Sequence, residues 1–172
     1  MDINALDKVS YGLYVICTHD NSGGFNGCVV NTFFQITSNP VKIAVSVSKN
    51  NYTHELIKNS KTFSCNVLRK DAELENYGKY GYRTGRDINK FDEGDYTVDI
   101  NGNPILLGNV SCAFFVCWVT EIYDLGTHSI FVALVDDAAI IDKEADVLTY
   151  DYYKKEKKMK PPPNAPTYKP SH

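Results

Sequence analysis

Residues 31–54 read NTFFQITSNPVKIAVSVSKNNYTH. Within this stretch Val41 to Ser48 alternates apolar and small polar residues at strand spacing. Ser38-Asn39-Pro40 breaks the chain before it, and Lys49-Asn50-Asn51 leads out of it. From Tyr52 to Asn59 the period changes to that of a short helix, with Leu56 and Ile57 inward. A strand therefore runs directly into a helix start that carries Lys49, Asn50, Asn51 and Thr53. Free backbone N–H groups and the positive dipole end make such a start a workable cradle for a phosphate dianion. Lys49 would add a charge and Thr53 a hydroxyl. Thr37, Ser46 and Ser48, spaced along the neighbouring strands, could meet the polar edge of a flat ring. The same residues are also explained without a ligand: Asn51 and Thr53 as helix caps, Ser46 and Ser48 as solvent-facing strand positions.

Outward from there, Tyr11–Thr18 and Gly27–Thr37 are both β-rich and flank the turn cluster His19–Gly24, which predicts a hairpin. Thr62–Leu68 predicts a further strand, and Leu74, Tyr77 and Tyr80 recur at helical spacing within Arg69–Tyr82. Arg83–Tyr96 is loop-like. Tyr96–Ile100 and Pro104–Leu107 flank a turn at Asn101-Gly102-Asn103. Val110–Tyr123 and His128–Ile141 are the longest strands, and the first is apolar on both faces, so another layer or a second subunit must cover it. Six to eight strands with two short helices suit a closed or partly open barrel.

The chain has 172 residues and a net charge of −3. That length suits one domain, 1–153, and a basic, Pro-rich tail, 154–172. Without the tail the body is acidic, which does not suit a nucleic-acid binder. The N-terminus lacks a basic segment followed by an apolar one, so no signal peptide is expected. The longest apolar run, Ala113–Val119, is far short of a membrane span. Five cysteines without a CxxC read as small apolar residues in a reducing cytoplasm, with a Cys17–Cys28 disulfide as the minor alternative. The four histidines do not fall at metal-ligand spacing, so no metal is expected. GxGxxG, P-loop, GxSxG and HExxH patterns are absent from the sequence, so any nucleotide needs a site of another design. Gly126-Thr127-His128 opens a strand and would place His128 at a barrel rim, as a ligand donor or simply as a surface residue.

The sequence resembles the flavin-reductase family, in particular the branch of ferric reductases and high-molecular-weight rubredoxin flavoproteins. The resemblance rests on Ser10–Val15, Asn31–Ser38, Ile43–Val45, Lys49–His54, Gly126–Phe131 and Leu148–Tyr150. It implies a mainly β, FMN-binding split β-barrel of Greek-key type, with two or three short helices, forming a homodimer. The implied cofactor site comprises Asn31, Thr32, Gln35, Ile36, Thr37, Ser46, Ser48, Lys49, Asn50 and Thr53, with Asn31, Thr32, Gln35 and Thr37 hydrogen-bonding along the ring and Ser48, Lys49 and Thr53 holding ribityl and phosphate. His128 would be the rim histidine where nicotinamide stacks, and Arg83, Lys90 and Tyr150 weaker candidates for the dinucleotide or the neighbouring subunit. The implied activity passes electrons from NADH or NADPH through FMN to free flavin, iron or a redox protein. The alternative is an electron carrier that partners rubredoxin and uses nicotinamide poorly. Ferric-reductase-like relatives can carry Cys where Ser46 stands, which weakens the expectation of direct iron reduction. The chain contains no CxxCG pair, so a rubredoxin partner would be a separate protein.

Overall fold

A computed structural model describes residues 1–156; from residue 157 the expected tail lies outside the described residues. A 3₁₀ helix, Ile3–Lys8, precedes strands β1 (Tyr14–His19), β2 (Phe25–Val30), β3 (Phe33–Ser38) and β4 (Val41–Ser48). Helix α1 (Tyr52–Ser60), β5 (Thr62–Leu68) and helix α2 (Leu74–Gly81) follow. After these come β6 (Tyr96–Val98), β7 (Pro104–Leu106), β8 (Ser111–Asp124), β9 (His128–Ile140) and helix α3 (Tyr150–Glu156). β6 and β7 form the expected short hairpin as a sheet of their own, and the strands number nine, one more than the upper expectation, because one expected strand is two. Helix α3 was not signalled by the sequence pattern, and it runs past the domain limit expected at residue 153.

The expected single strand Gly27–Thr37 is two strands. Val30 ends β2, Phe33 begins β3, and the two lie at opposite edges of a seven-stranded antiparallel sheet in the order β2-β1-β5-β8-β9-β4-β3. Three peptide steps reach at most about 11 Å. In a flat sheet the same two edges would lie roughly 29 Å apart. The sheet must therefore roll up until its edges meet. The Ser46 N–H donates to the Thr32 carbonyl at 3.1 Å, carrying the β3–β4 pairing one step past Phe33–Val45 into that link.

The interior confirms the closure. Ile16 of β1, Val30 of β2, Val45 of β4, Phe63 of β5, Cys117 of β8 and Phe131 of β9 share one buried cluster with Ile57 of α1. A second cluster lies outside the barrel wall, where Val15, Cys17 and Leu68 meet Tyr77, Tyr80, Phe91, Leu106 and Tyr153. Adjacent residues of β1 thus feed two different cores, which is why that strand reads as continuously apolar. Val15 and Ile16 are both fully buried. The five thiols are free and buried. Cys17 lies opposite Gly27 rather than Cys28, so the alternative disulfide lacks its geometry.

A buried polar tie fixes the β6–β7 hairpin to the wall. Asn66, fully buried, donates to the Val15 carbonyl at 3.2 Å and accepts from the Leu106 N–H at 2.8 Å. Ser64 donates to the Pro104 carbonyl beside it. Asn66→Leu strands the Leu106 N–H in an apolar setting, which costs about 1–3 kcal/mol. Urea unfolding is expected to show a lower midpoint with an unchanged m-value.

Candidate functional site

A cavity of about 270 Å³ lies where β2, the start of α1 and the segment after α2 meet. Asn26 and Cys28 come from β2, Asn50 to Thr53 from the α1 start, and Tyr82 to Gly85 with Lys90 from the third segment. The α1 start is made by the end of β4. The Ser48 carbonyl accepts from the Asn51 N–H at 3.0 Å, and the Ser48 hydroxyl accepts from the Asn50 N–H at 3.3 Å. Asn51 occupies the N-cap position but its side chain does not cap the helix. The His54 N–H donates to the Asn51 carbonyl at 3.0 Å, while the Tyr52 and Thr53 amides ahead of it have no intrahelical acceptor, and such free N–H groups favour an anion.

Two cations converge here. Arg83 lines the cavity. Lys90 is 2% exposed, lines it too, and donates to the Gly27 carbonyl at 2.8 Å. Burial pushes the Lys90 ammonium below its ordinary pKa. A partly desolvated cation gains most from a counter-charge. Thr53, fully buried, accepts from Asn26 Nδ2 at 2.9 Å, while Asn26 Oδ1 has no partner among the described residues. A Cβ on Gly85 would overlap the Asn26 carboxamide, so that residue needs its missing side chain. These donors suit a phosphate and a short polyhydroxyl chain.

The structure brings Asn50 and Thr53 together at the cavity, with buried Ser48 beneath them. Lys49 is not among the lining residues; its ammonium meets both Asp124 oxygens at 2.6 Å. That bond is the main cause holding the Asp124 carboxyl below its ordinary pKa. Asn31 is buried at the β2–β3 link, and the Thr32 hydroxyl donates to the Ser46 carbonyl at 3.2 Å. Gln35, Ile36 and Thr37 lie on exposed β3. Thr37 pairs with Lys42, which puts it on the order of 20 Å along β4 from Ser48. His128 pairs with Ser48 across the β4–β9 register. Its Nδ1 lies 2.9 Å from the Thr127 hydroxyl, and its Nε2 is buried without a partner among the described residues. Tyr150 packs in the second core, stacked on Tyr153, away from the cavity lining.

Sequence reasoning missed Asn26, Cys28 and Gly85, because nothing local marks a residue whose role depends on a distant loop. Arg83 and Lys90 were legible as cations but not as members of this pocket. Among the described residues no group of His, Cys, Asp or Glu could hold a metal ion. No helix there is long and apolar enough to cross a membrane.

Fold and cavity together define a closed antiparallel barrel with a cation-lined cavity at its rim. The chain belongs to the flavin reductase-like family: the family's domain matches residues 6–157. It is 39% identical over 168 residues to the ferric-chelate reductase (NAD(P)H) of Archaeoglobus fulgidus, covering 98% of both chains. It is 40% identical over 168 residues to a high molecular weight rubredoxin of Moorella thermoacetica, covering 98% of this chain and 72% of that one. Among solved structures, the flavin reductase component of a bacterial two-component tryptophan halogenase superposes with a TM-score of 0.74 at 26% identity. That match covers 86% of this chain and 89% of the other.

His54 links the site's two sides. Its Nε2 lies 2.9 Å from the Ser129 hydroxyl, next to His128, and its ring meets the Phe131 edge. Burial first, then Lys49, holds its pKa below the ordinary histidine value. The fold therefore prefers neutral His54, and the unfolded chain binds more protons below about pH 6.5. Stability is expected to fall as pH drops below that value toward the depressed folded pKa. In His54→Gln, thermal unfolding across pH 5 to 8 should lose part of that slope.

Proposed function

We propose that the protein is an NAD(P)H-dependent, FMN-binding oxidoreductase whose phosphate pocket is the cavity at the α1 start. The observation that carries this reading is the convergence of the first-turn amides with Arg83, buried Lys90 and Thr53. When bound, FMN supplies a ring that accepts hydride from nicotinamide and passes electrons on. The protein's own part is binding, orientation and electrostatics. Arg83 and Lys90 would neutralise the phosphate, and Asn50 and Thr53 would fix the chain that follows it. Thr32 and Ser46 lie on the strands along which the ring would extend. His128 would offer its buried Nε2 to a ligand atom at the rim. Gln35, Ile36 and Thr37 would meet only the far end of a ligand lying along β4, and Lys49 would reach it only by exchanging Asp124.

Two further parts of the proposal concern assembly. Phe34, Trp118 and Tyr123 are each about half exposed on the outer wall. A second copy of the chain covering that wall would complete a homodimer. The likeness to a high molecular weight rubredoxin favours a second reading, in which a rubredoxin-type protein is the electron acceptor. Five free, buried thiols suit a reducing compartment such as the cytoplasm.

FMN is expected to bind more tightly than riboflavin. Arg83→Ala should cost about tenfold or more in FMN affinity and leave riboflavin affinity unchanged, as loss of a charge-assisted contact requires. Flavin fluorescence titration measures both; equal losses for the two ligands would remove the phosphate assignment. Anaerobic addition of NADH or NADPH to the FMN-loaded protein should bleach the visible flavin bands. Absence of bleaching, with fast reduction by reduced rubredoxin, would favour the carrier reading. In sedimentation the protein should run as a dimer and Trp118→Glu as a monomer.

A further inference from the structure

The segment that roofs the cavity is fastened at three points of unequal strength. At its start, the Tyr82 hydroxyl lies 3.0 Å from the Tyr153 hydroxyl of α3. At its end, buried Lys90 is tied to the Gly27 carbonyl. Between them, Arg86 ties the segment to α1. Its Nη2 meets Glu55 Oε2 at 2.6 Å and its guanidinium sits 4.5 Å from the Tyr52 ring centre. Arg86 and Glu55 are both more than half exposed. Arg83 and Gly85, which shape the cavity, lie within three residues of this middle fastening.

We propose that Arg86 is a positioning residue: with Glu55 and Tyr52 it forms a latch that keeps the 83–90 segment over the cavity and sets how quickly an anionic ligand enters and leaves. The proposal rests on the reading of that cavity as a phosphate pocket. An exposed ion pair is weak and breaks often, whereas the two flanking ties are partly or wholly buried. Opening is therefore local, with the middle lifting while the ends stay fixed. Arg83 rises with it and is withdrawn from the ligand.

Glu55→Gln separates this role from plain electrostatics. Removing a carboxylate near the pocket raises the local positive potential, and on charge alone an anion should leave more slowly. The latch predicts the opposite. FMN release, followed by flavin fluorescence on dilution into excess apo-flavodoxin-type scavenger, should quicken by about two- to fivefold, the range of an exposed ion pair. Tryptic cleavage after Arg83 and Arg86 in the flavin-free protein should quicken by a similar factor, with the urea midpoint unchanged. Slower flavin release, or unchanged cleavage, would overturn the latch. Failure of the unsubstituted protein to bind FMN would instead remove the phosphate-pocket reading, and the cleavage comparison would still decide the latch.

Discussion

The two-residue step at Asn31-Thr32 constrains everything else. It joins the two edge strands of the seven-stranded sheet, so the sheet has to close. Closure gives β1, β2, β4, β5, β8 and β9 one shared interior, filled by residues such as Ile16, Val45, Phe63 and Phe131. Irregularities in the pairing accommodate the curvature: Ile36 is an extra residue in β3, and the β8–β9 register shifts twice along the two longest strands.

Closure also positions the site. It brings β2 beside the start of α1, so that Asn26 can reach Thr53. The second core then holds α2 and the segment after it against the outside of β1 and β2 through Tyr77, Tyr80 and Phe91. That packing delivers Arg83 and Lys90 to the helix end. A helix start alone would be a weak anion site; two cations, one of them buried, make the charge complementarity specific. The redox chemistry attributed to the family then needs little more from the protein than placement.

Much of this was legible in the chain itself. The strand Thr62–Leu68 has the expected limits, and the helix Tyr52–Asn59 differs by one residue at its end. Both have clear periodicity and unambiguous flanking breaks. The reading of Gly27–Thr37 as one strand failed because Asn31 and Thr32 carry no glycine or proline to mark a break. The broad helical pattern over Arg69–Tyr82 contracted to Leu74–Gly81 because the backbone at its start is paired elsewhere: Arg69 bridges Val147, and the Lys70 N–H donates to the Asp146 carbonyl at 2.9 Å. Asn50 and Thr53 were found from the helix start, a local feature. Lys49 was chosen by the same logic, but its partner Asp124 lies 75 residues away and could not be foreseen.

The sequence by itself determined the strand-rich composition, the turns at His19–Gly24 and Asn101–Asn103, the helix start with its hydroxyls and amides, and the family. These depend on residues within a few positions of one another, where steric and hydrogen-bonding preferences act directly. Only the tertiary structure decided that the sheet closes, that Arg83 and Lys90 share a cavity with Thr53, and that Asn26 and Gly85 shape it. Those facts arise from contacts between segments far apart in the chain. Chain closure and core packing set such contacts, and no local preference encodes them.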